Sequence, residues 1–341
     1  MELTKQLEML KELCALDGVS GCEERVAEYL RAHLPQDCQV RQDIRGNLIC
    51  EKKGRQTPKN KLMFTAHMDE VGFLIHYIED SGLLRFAAVG SVDTRVVIGK
   101  PVRLESGKEG VVGAKPIHLQ TAEERDEVLK VRDLYIDIGA KSREEAEQFV
   151  QLGDYACWRP QFIQLGERVC SKALDNRLGC LLLLGLLEQQ LEYDITAVFT
   201  VQEEIGGGAV NAAFAVEPDI AVVLDAGSAS DVPGVSAAKR VCALGKGPVL
   251  SFQDKGAFMD RELFRTAKQV CEQQEILFQI KNQIVDTNEA AQLSRCGAGC
   301  RVMAVSVPVR YTNSPSSVFE PKDLEPTLAL LGELTKAFAQ L

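Results

Sequence analysis

The chain has 341 residues, 45% of them hydrophobic and 26% charged, and its formal net charge is -10. That is more chain than one small core holds, so a main domain with a second, smaller one is expected. The acidic balance argues against a nucleic-acid partner, whose phosphates require Lys and Arg.

The opening segment MELTKQLEMLKELCAL carries Leu3, Leu7, Leu10 and Leu13 at helical spacing and ends at Asp17-Gly18. Its charges interrupt any signal-peptide core. GCEERVAEYLRAHL reads as a second amphipathic helix, and RQDIRGNLICEKKG as two strands turning at Gly46-Asn47. The run Leu62 to Ala66 is continuous and mostly apolar, as expected of a strand buried on both faces. From residue 72 to about 160 the pattern changes. GFLIHYIEDSGLLRFAAVG and KPVRLESGKEGVVGAKPIHL each read as strand, turn, strand, and DLYIDIGA as a further strand. KSREEAEQFV is a short helix with a Ser142/Glu145 capping box. This block reads as a small barrel or sandwich set into the chain. Beyond Trp158-Arg159-Pro160 the helix–strand alternation resumes. LDNRLGCLLLLGLLEQQL is a long apolar helix, its 178–187 core too short to span a bilayer. The strands DITAVFTVQEEIGGG, DIAVVLDAG and RVMAVSVPVRY follow, with helices at RTAKQVCEQQ and at the C-terminus. Eleven cysteines and no export signal point to reduced thiols and a cytoplasmic location, with Cys296 and Cys300 read as buried thiols rather than a metal clip. No membrane partner is expected.

Four apolar runs end in polar residues: Leu62–Ala66 in His67 and Asp69, Val198–Val201 in Glu203 and Glu204, Ile220–Leu224 in Asp225, and Val302–Val309 in Arg310, Tyr311 and Asn313. In open α/β sheets, ligands bind at the carboxyl ends of the strands. His67 and Asp69, two apart, can point the same way from extended backbone, so that the carboxylate orients the imidazole. The plainer alternative is a hydrogen bond that closes a strand. Glu203 and Glu204 adjoin and would point to opposite sides of an extended strand, or form a solvated acidic turn. Asp175 precedes the most apolar helix and is either a ligand or a cap. Gly206-Gly207-Gly208 lacks the Lys-Ser/Thr of a phosphate loop and reads as a tight turn.

Taken in order, GVSGCEE, DIRGNL, AHMDEVG, VVGAKPIH, DLYIDIGA, KALDNRLG, VQEEIGGGA and PVRYTNSP resemble the metallo-aminopeptidase family that contains glutamyl aminopeptidases and the self-assembling TET aminopeptidases. The resemblance implies a zinc-peptidase-like α/β fold, a mixed sheet with helices on both faces. It implies a catalytic domain from residues 1–69 and 162–341 and a β-rich insertion, 70–161, used for oligomerisation, from dimer to dodecamer. It implies removal of N-terminal residues from short peptides by two divalent metal ions, zinc, cobalt or manganese. By position, Asp175 is the bridging ligand. His67 and Asp225 complete one metal's set, and Glu204 with Asn313 the other's. Glu203 is the general base, and Asp69 orients His67.

Two departures fall on this site. The family has His where this chain has Asn313, and Gly-Thr-Asp-Ala where it has Asp286-Thr287-Asn288-Glu289. They leave open the alternative of a weakly active or non-catalytic scaffold subunit. A glycan-hydrolase reading finds no footing, because the adjacent Glu203 and Glu204 cannot straddle a glycosidic bond.

Overall fold

An extended run with every residue buried needs cover on both sides, and such runs sit at the centre of this protein. The structure is a computed structural model describing residues 2–341. Its strands are β1 (Cys38–Gln42), β2 (Leu48–Lys52), β3 (Leu62–His67), β4 (Gly72–Ile78), β5 (Leu84–Val89), β6 (Pro101–Leu104), β7 (Glu109–Ala114), β8 (Leu134–Asp137), β9 (Tyr155–Trp158), β10 (Phe162–Leu165), β11 (Arg168–Ser171), β12 (Ile195–Thr200), β13 (Ile220–Ser228), β14 (Val249–Ser251), β15 (Gln279–Ile280), β16 (Arg301–Arg310) and β17 (Ser317–Phe319).

The large sheet runs β1-β2-β12-β3-β13-β16-β17-β11-β10, with β14 and β15 attached beside β16. Its middle four strands, β12, β3, β13 and β16, are parallel, and the pairs flanking them are antiparallel. All six residues of β3 and of β12 are buried, the signature of a sheet covered on both faces. The helix Leu174–Leu187 packs against β3, β12, β13 and β16. It is buried nearly all round, as its leucine run requires. Helix Leu324–Ala339 packs against it in turn. Helix Ala209–Val216 packs on β12 and on the short helix Ala290–Leu293. Helix Arg261–Gln273 starts at Asp260, whose carboxylate caps the amides of Glu262 and Leu263.

Between β3 and β10 the chain makes a closed barrel, β4-β5-β8-β7-β6-β9. It has its own apolar core. Phe73 lies edge-on to Phe86 and to Trp158, with ring centroids 4.7 and 4.9 Å apart. The barrel's separate core accounts for the change of pattern at residue 72. No helix among the described residues is long and apolar enough to cross a membrane.

Candidate metal centre and active site

The four parallel strands of the large sheet all deliver their carboxyl ends to one edge, and the polar residues that follow them meet there. They line a cavity of about 430 Å³ that holds His67, Asp175, Glu203, Glu204, Asp225, Asn288 and Asn313. Asp69 lies behind it, fully buried.

His67 ends β3 and is buried. Its Nε2 lies 3.2 Å from Asp175 Oδ1 and 3.8 Å from Asp225 Oδ1. Its Nδ1 lies 3.3 Å from Asp69 Oδ1 and 3.2 Å from the Asp69 carbonyl. One donor atom each from His67, Asp175 and Asp225 falls within 4.8 Å of the others. Asp175 is no cap: the backbone at Asp175 and Asn176 is non-helical, which frees the carboxylate to face His67. Asp225 does not close its strand as expected, because β13 continues to Ser228. Its Oδ1 accepts the Ala226 N–H at 2.8 Å.

The expected strand geometry of Glu203 and Glu204 gives way to a turn. β12 stops at Thr200, Gln202 takes a left-handed φ of 59°, and residues Glu203–Ile205 form a single 3-10 turn. Both glutamates therefore face the cavity rather than opposite sides of a strand. Asp69 holds this turn, accepting the N–H of Glu203 at 3.0 Å and that of Glu204 at 3.1 Å. Ser20 donates to the same carboxylate at 2.5 Å. Gly206–Gly208 closes the turn, as expected. At Gly208 a Cβ would lie 1.8 Å from the Val201 carbonyl, and φ is +69°, so only glycine fits.

Asn313 sits in the turn after β16 with a φ of 58°. Its side-chain oxygen is buried without a hydrogen-bond partner. Asn288 is buried, and its oxygen accepts the Ala290 N–H at 3.0 Å. Cys296 and Cys300 are half-buried rather than fully buried. They form no disulfide and stand apart from the ligand cluster.

Electrostatics identify what the cavity lacks. Burial pushes Glu203 up to about 8, with Glu289, Asp69 and Asp175 adding to it against the charge of His67. Burial and the Asp175 charge raise Glu204 and Asp225 well above the carboxylate range. Burial alone would lower the His67 imidazole. Hydrogen bonds to Asp175 and Asp69 outweigh it and hold the ring protonated well above its usual range. Burial would likewise raise Asp69, but its bonds to His67 and Ser20 keep it low. The carboxylates repel one another, and the imidazolium alone offsets them. With the unbonded oxygen of Asn313, this donor set fits divalent cations.

Several supporting residues lie within the motifs KALDNRLG and AHMDEVG, yet the motifs do not disclose what they do. Lys172 and Arg177, on either side of Asp175, are fully buried. Lys172 Nζ donates to Glu70 Oε1 at 2.5 Å and to the Leu16 carbonyl at 2.9 Å. Arg177 lies 3.5 Å from the same Glu70 oxygen. Asp17 joins this network to the barrel through Arg103 and Cys157. Charge-bearing side chains at 0–2% exposure are rare without partners, but their pairing crosses more than a hundred residues of chain and has no local spacing to reveal it.

Known proteins share this architecture. Over 338 residues the chain is 35% identical to a putative aminopeptidase of Acetivibrio thermocellus, covering 98% of this chain and 99% of that one. An aminopeptidase structure from the archaeon Desulfurococcus kamchatkensis superposes with a TM-score of 0.91 at 32% identity, covering 99% of this chain and 95% of the other. The TET1 peptidase of Pyrococcus horikoshii, which can assemble into a tetrahedron or a large octahedral shell, superposes with a TM-score of 0.85 at 34% identity, covering 97% and 99%. Residues 46–330 match the description of the M42 glutamyl aminopeptidases, and the chain belongs to that family of peptidases.

Proposed function

We propose that this protein is a metal-dependent aminopeptidase that removes N-terminal residues from short peptides with two divalent cations, zinc, cobalt or manganese. The observation that carries the reading is the convergence of His67, Asp175, Glu203, Glu204, Asp225 and Asn313 on one cavity at the carboxyl edge of the parallel strands. Asp175, whose Oδ1 lies 3.2 Å from His67 Nε2, would be the ligand that the two cations share. His67 and Asp225 would hold one cation, and Glu204 with the Asn313 oxygen the other. Cations held by these residues would supply Lewis acidity toward the scissile carbonyl and an ionisable water near neutral pH. Glu203 takes the water's proton and passes it to the leaving amine. Their positive charge lowers the Glu203 carboxyl from its raised value, so that it is ionised to act. Asp69 fixes the imidazole and, through two N–H bonds, the turn that carries both glutamates.

What favours the enzyme over a non-catalytic scaffold is that Asn313 lines the cavity and its buried side-chain oxygen has no hydrogen-bond partner. A cavity of about 430 Å³ suits a small ligand, such as the end of a short peptide. We further propose that the protein works as a homo-oligomer, between dimer and dodecamer, with the insertion 70–161 making subunit contacts. The assembly of the TET1 peptidase and the exposed Ile117, Leu119 and Val128 on this block support it. Eleven unpaired cysteines support a reducing, cytoplasmic setting.

Elemental analysis of purified protein, paired with a panel of aminoacyl anilides, tests the reading. Divalent metal should be present, its removal by chelator should abolish hydrolysis, and its return should restore it. Absence of bound metal even after incubation with zinc, cobalt and manganese would overturn it.

A further inference from the structure

The cavity wall is one-sided in charge. No lysine or arginine lines it. Arg310, just before Asn313 in the chain, has its guanidinium fork filled by Asp231, with Nε and Nη2 each 2.7 Å from a carboxylate oxygen. Among the described residues, no lysine or arginine is therefore free at the wall to receive an acidic substrate side chain. On the proposed function, two divalent cations balance the four carboxylates Asp175, Glu203, Glu204 and Asp225. One lining carboxylate is left over, that of Asp286.

Asp286 differs from the deep acids. It lines the same cavity but is exposed, which sets it at the mouth. Its backbone carbonyl accepts the Lys255 N–H at 2.9 Å, which pins the loop. Its carboxylate is in no ion pair among the described residues. The residue holds a left-handed φ of 58°. That is a conformation glycine favours and aspartate tolerates at some cost, and glycine is what the Gly-Thr-Asp-Ala pattern has at this position. A charged residue is thus kept where the backbone asks for none, at the lip of the site.

We infer that Asp286 is a specificity residue that receives the cationic side chain of an N-terminal lysine or arginine, so that the site prefers basic over acidic N-terminal residues. The substrate's α-ammonium belongs with the deep acids near the scissile bond. A lysine or arginine side chain is long enough to reach from there toward the mouth and to keep its charged head in water. An N-terminal glutamate side chain would find no lysine or arginine among the lining residues and would meet the Asp286 carboxylate at the mouth. This inference rests on the aminopeptidase reading.

Hydrolysis of Lys, Arg, Leu and Glu p-nitroanilides in saturating manganese provides the test. The expected kcat/KM for Lys and Arg exceeds that for Glu by about tenfold or more, as like-charge juxtaposition dictates. Asp286→Asn and Asp286→Gly should each lower the Lys-to-Leu ratio by about two- to fivefold, the range of an exposed ion pair. Both replacements tolerate the left-handed backbone, so folding is preserved. Glu turned over as well as Lys, or a Lys-to-Leu ratio unmoved in both variants, would overturn the inference. Equal losses for Lys and Leu would do so too, by assigning Asp286 to the α-ammonium common to all substrates. If no anilide is hydrolysed in any metal, the aminopeptidase reading fails, and calorimetry with reduced-bond Lys-Ala and Glu-Ala analogues decides the specificity alone. A lysyl lead that shrinks in Asp286→Asn upholds it, and a lead unchanged in that variant, or absent in the parent, refutes it.

Discussion

Glu203 stands among like charges, its carboxyl pushed up to about 8 by burial and by Glu289, Asp69 and Asp175. Glu203→Gln keeps the shape and removes the proton acceptor. Turnover should fall by about 10²–10⁴-fold while calorimetry finds metal affinity nearly intact; wild-type turnover in the variant would remove Glu203 from the base role. The same repulsion has a signature without metal. In the unfolded chain Glu203, Glu204 and Asp225 ionise in the ordinary carboxylate range, whereas in the metal-free fold they hold their protons to higher pH. The native state then binds more protons, so stability falls as pH rises. His67 acts in the same direction, since its raised folded pKa contributes stability that is lost on going to high pH. Chelator-treated protein should therefore melt at a lower temperature at pH 8 than at pH 5.5. Divalent metal should erase most of the difference, and a flat pH profile in calorimetric scans would contradict this. On the proposed function, Asn313 would offer its metal a weak amide oxygen, whereas His67 would give the other a nitrogen. We expect titration to find one tight and one weak site, with activity greater in excess manganese or cobalt than in zinc. Asn313→His should tighten the weak site and raise hydrolysis, and two tight zinc ions in the parent would show that another group supplies the missing ligand.

The turn after β12 shows which elements the sequence made legible and which it did not. Apolar runs ending in acids marked β3, β12, β13 and β16 and the edge they share, because a strand covered on both faces has no polar residue until it leaves the sheet. The left-handed Gln202 carries no such mark. Nothing local distinguishes it from the next residue of a strand, so Glu203 and Glu204 read as facing opposite ways. Asp69, which binds the turn from the loop after β3, was legible as a partner of His67 but not as the anchor of this turn. Ser20, which donates to it across 49 positions of chain, was not legible at all. Asp69→Asn keeps the size but offers one oxygen where two N–H groups and the His67 ring converge. Metal affinity should fall by about 10–100-fold, the usual cost of losing such a supporting group, with little change in far-UV circular dichroism. Unchanged affinity would mean that the turn is held by Gly206–Gly208 alone.

At the scale of the molecule, the break at residue 72 announced a second unit, and the closed barrel between β3 and β10 is that unit. The ion pairs at the junction of barrel and sheet, buried Asp17 with half-buried Arg103 and buried Lys172 with Glu70, stayed hidden because each pair joins distant segments. The protein also exposes large apolar side chains, among them Ile44, Phe214 and Phe258, which in a lone molecule invite association. Light scattering at micromolar concentration should report at least a dimer, and a monomer there would refute the proposed assembly. The parallel order β12-β3-β13-β16 carries one more consequence, in time rather than space. β3 and His67 leave the ribosome early, the whole barrel is made next, Asp175, Glu204 and Asp225 follow, and Asn313 emerges close to the end. On the proposed assignment, one cation's set of His67, Asp175 and Asp225 is complete only after the whole barrel has been made, and the other's waits for Asn313, so metal cannot template the early fold. Which ion fills the site at Asn313 is then decided last, by the cations that the nearly finished protein meets.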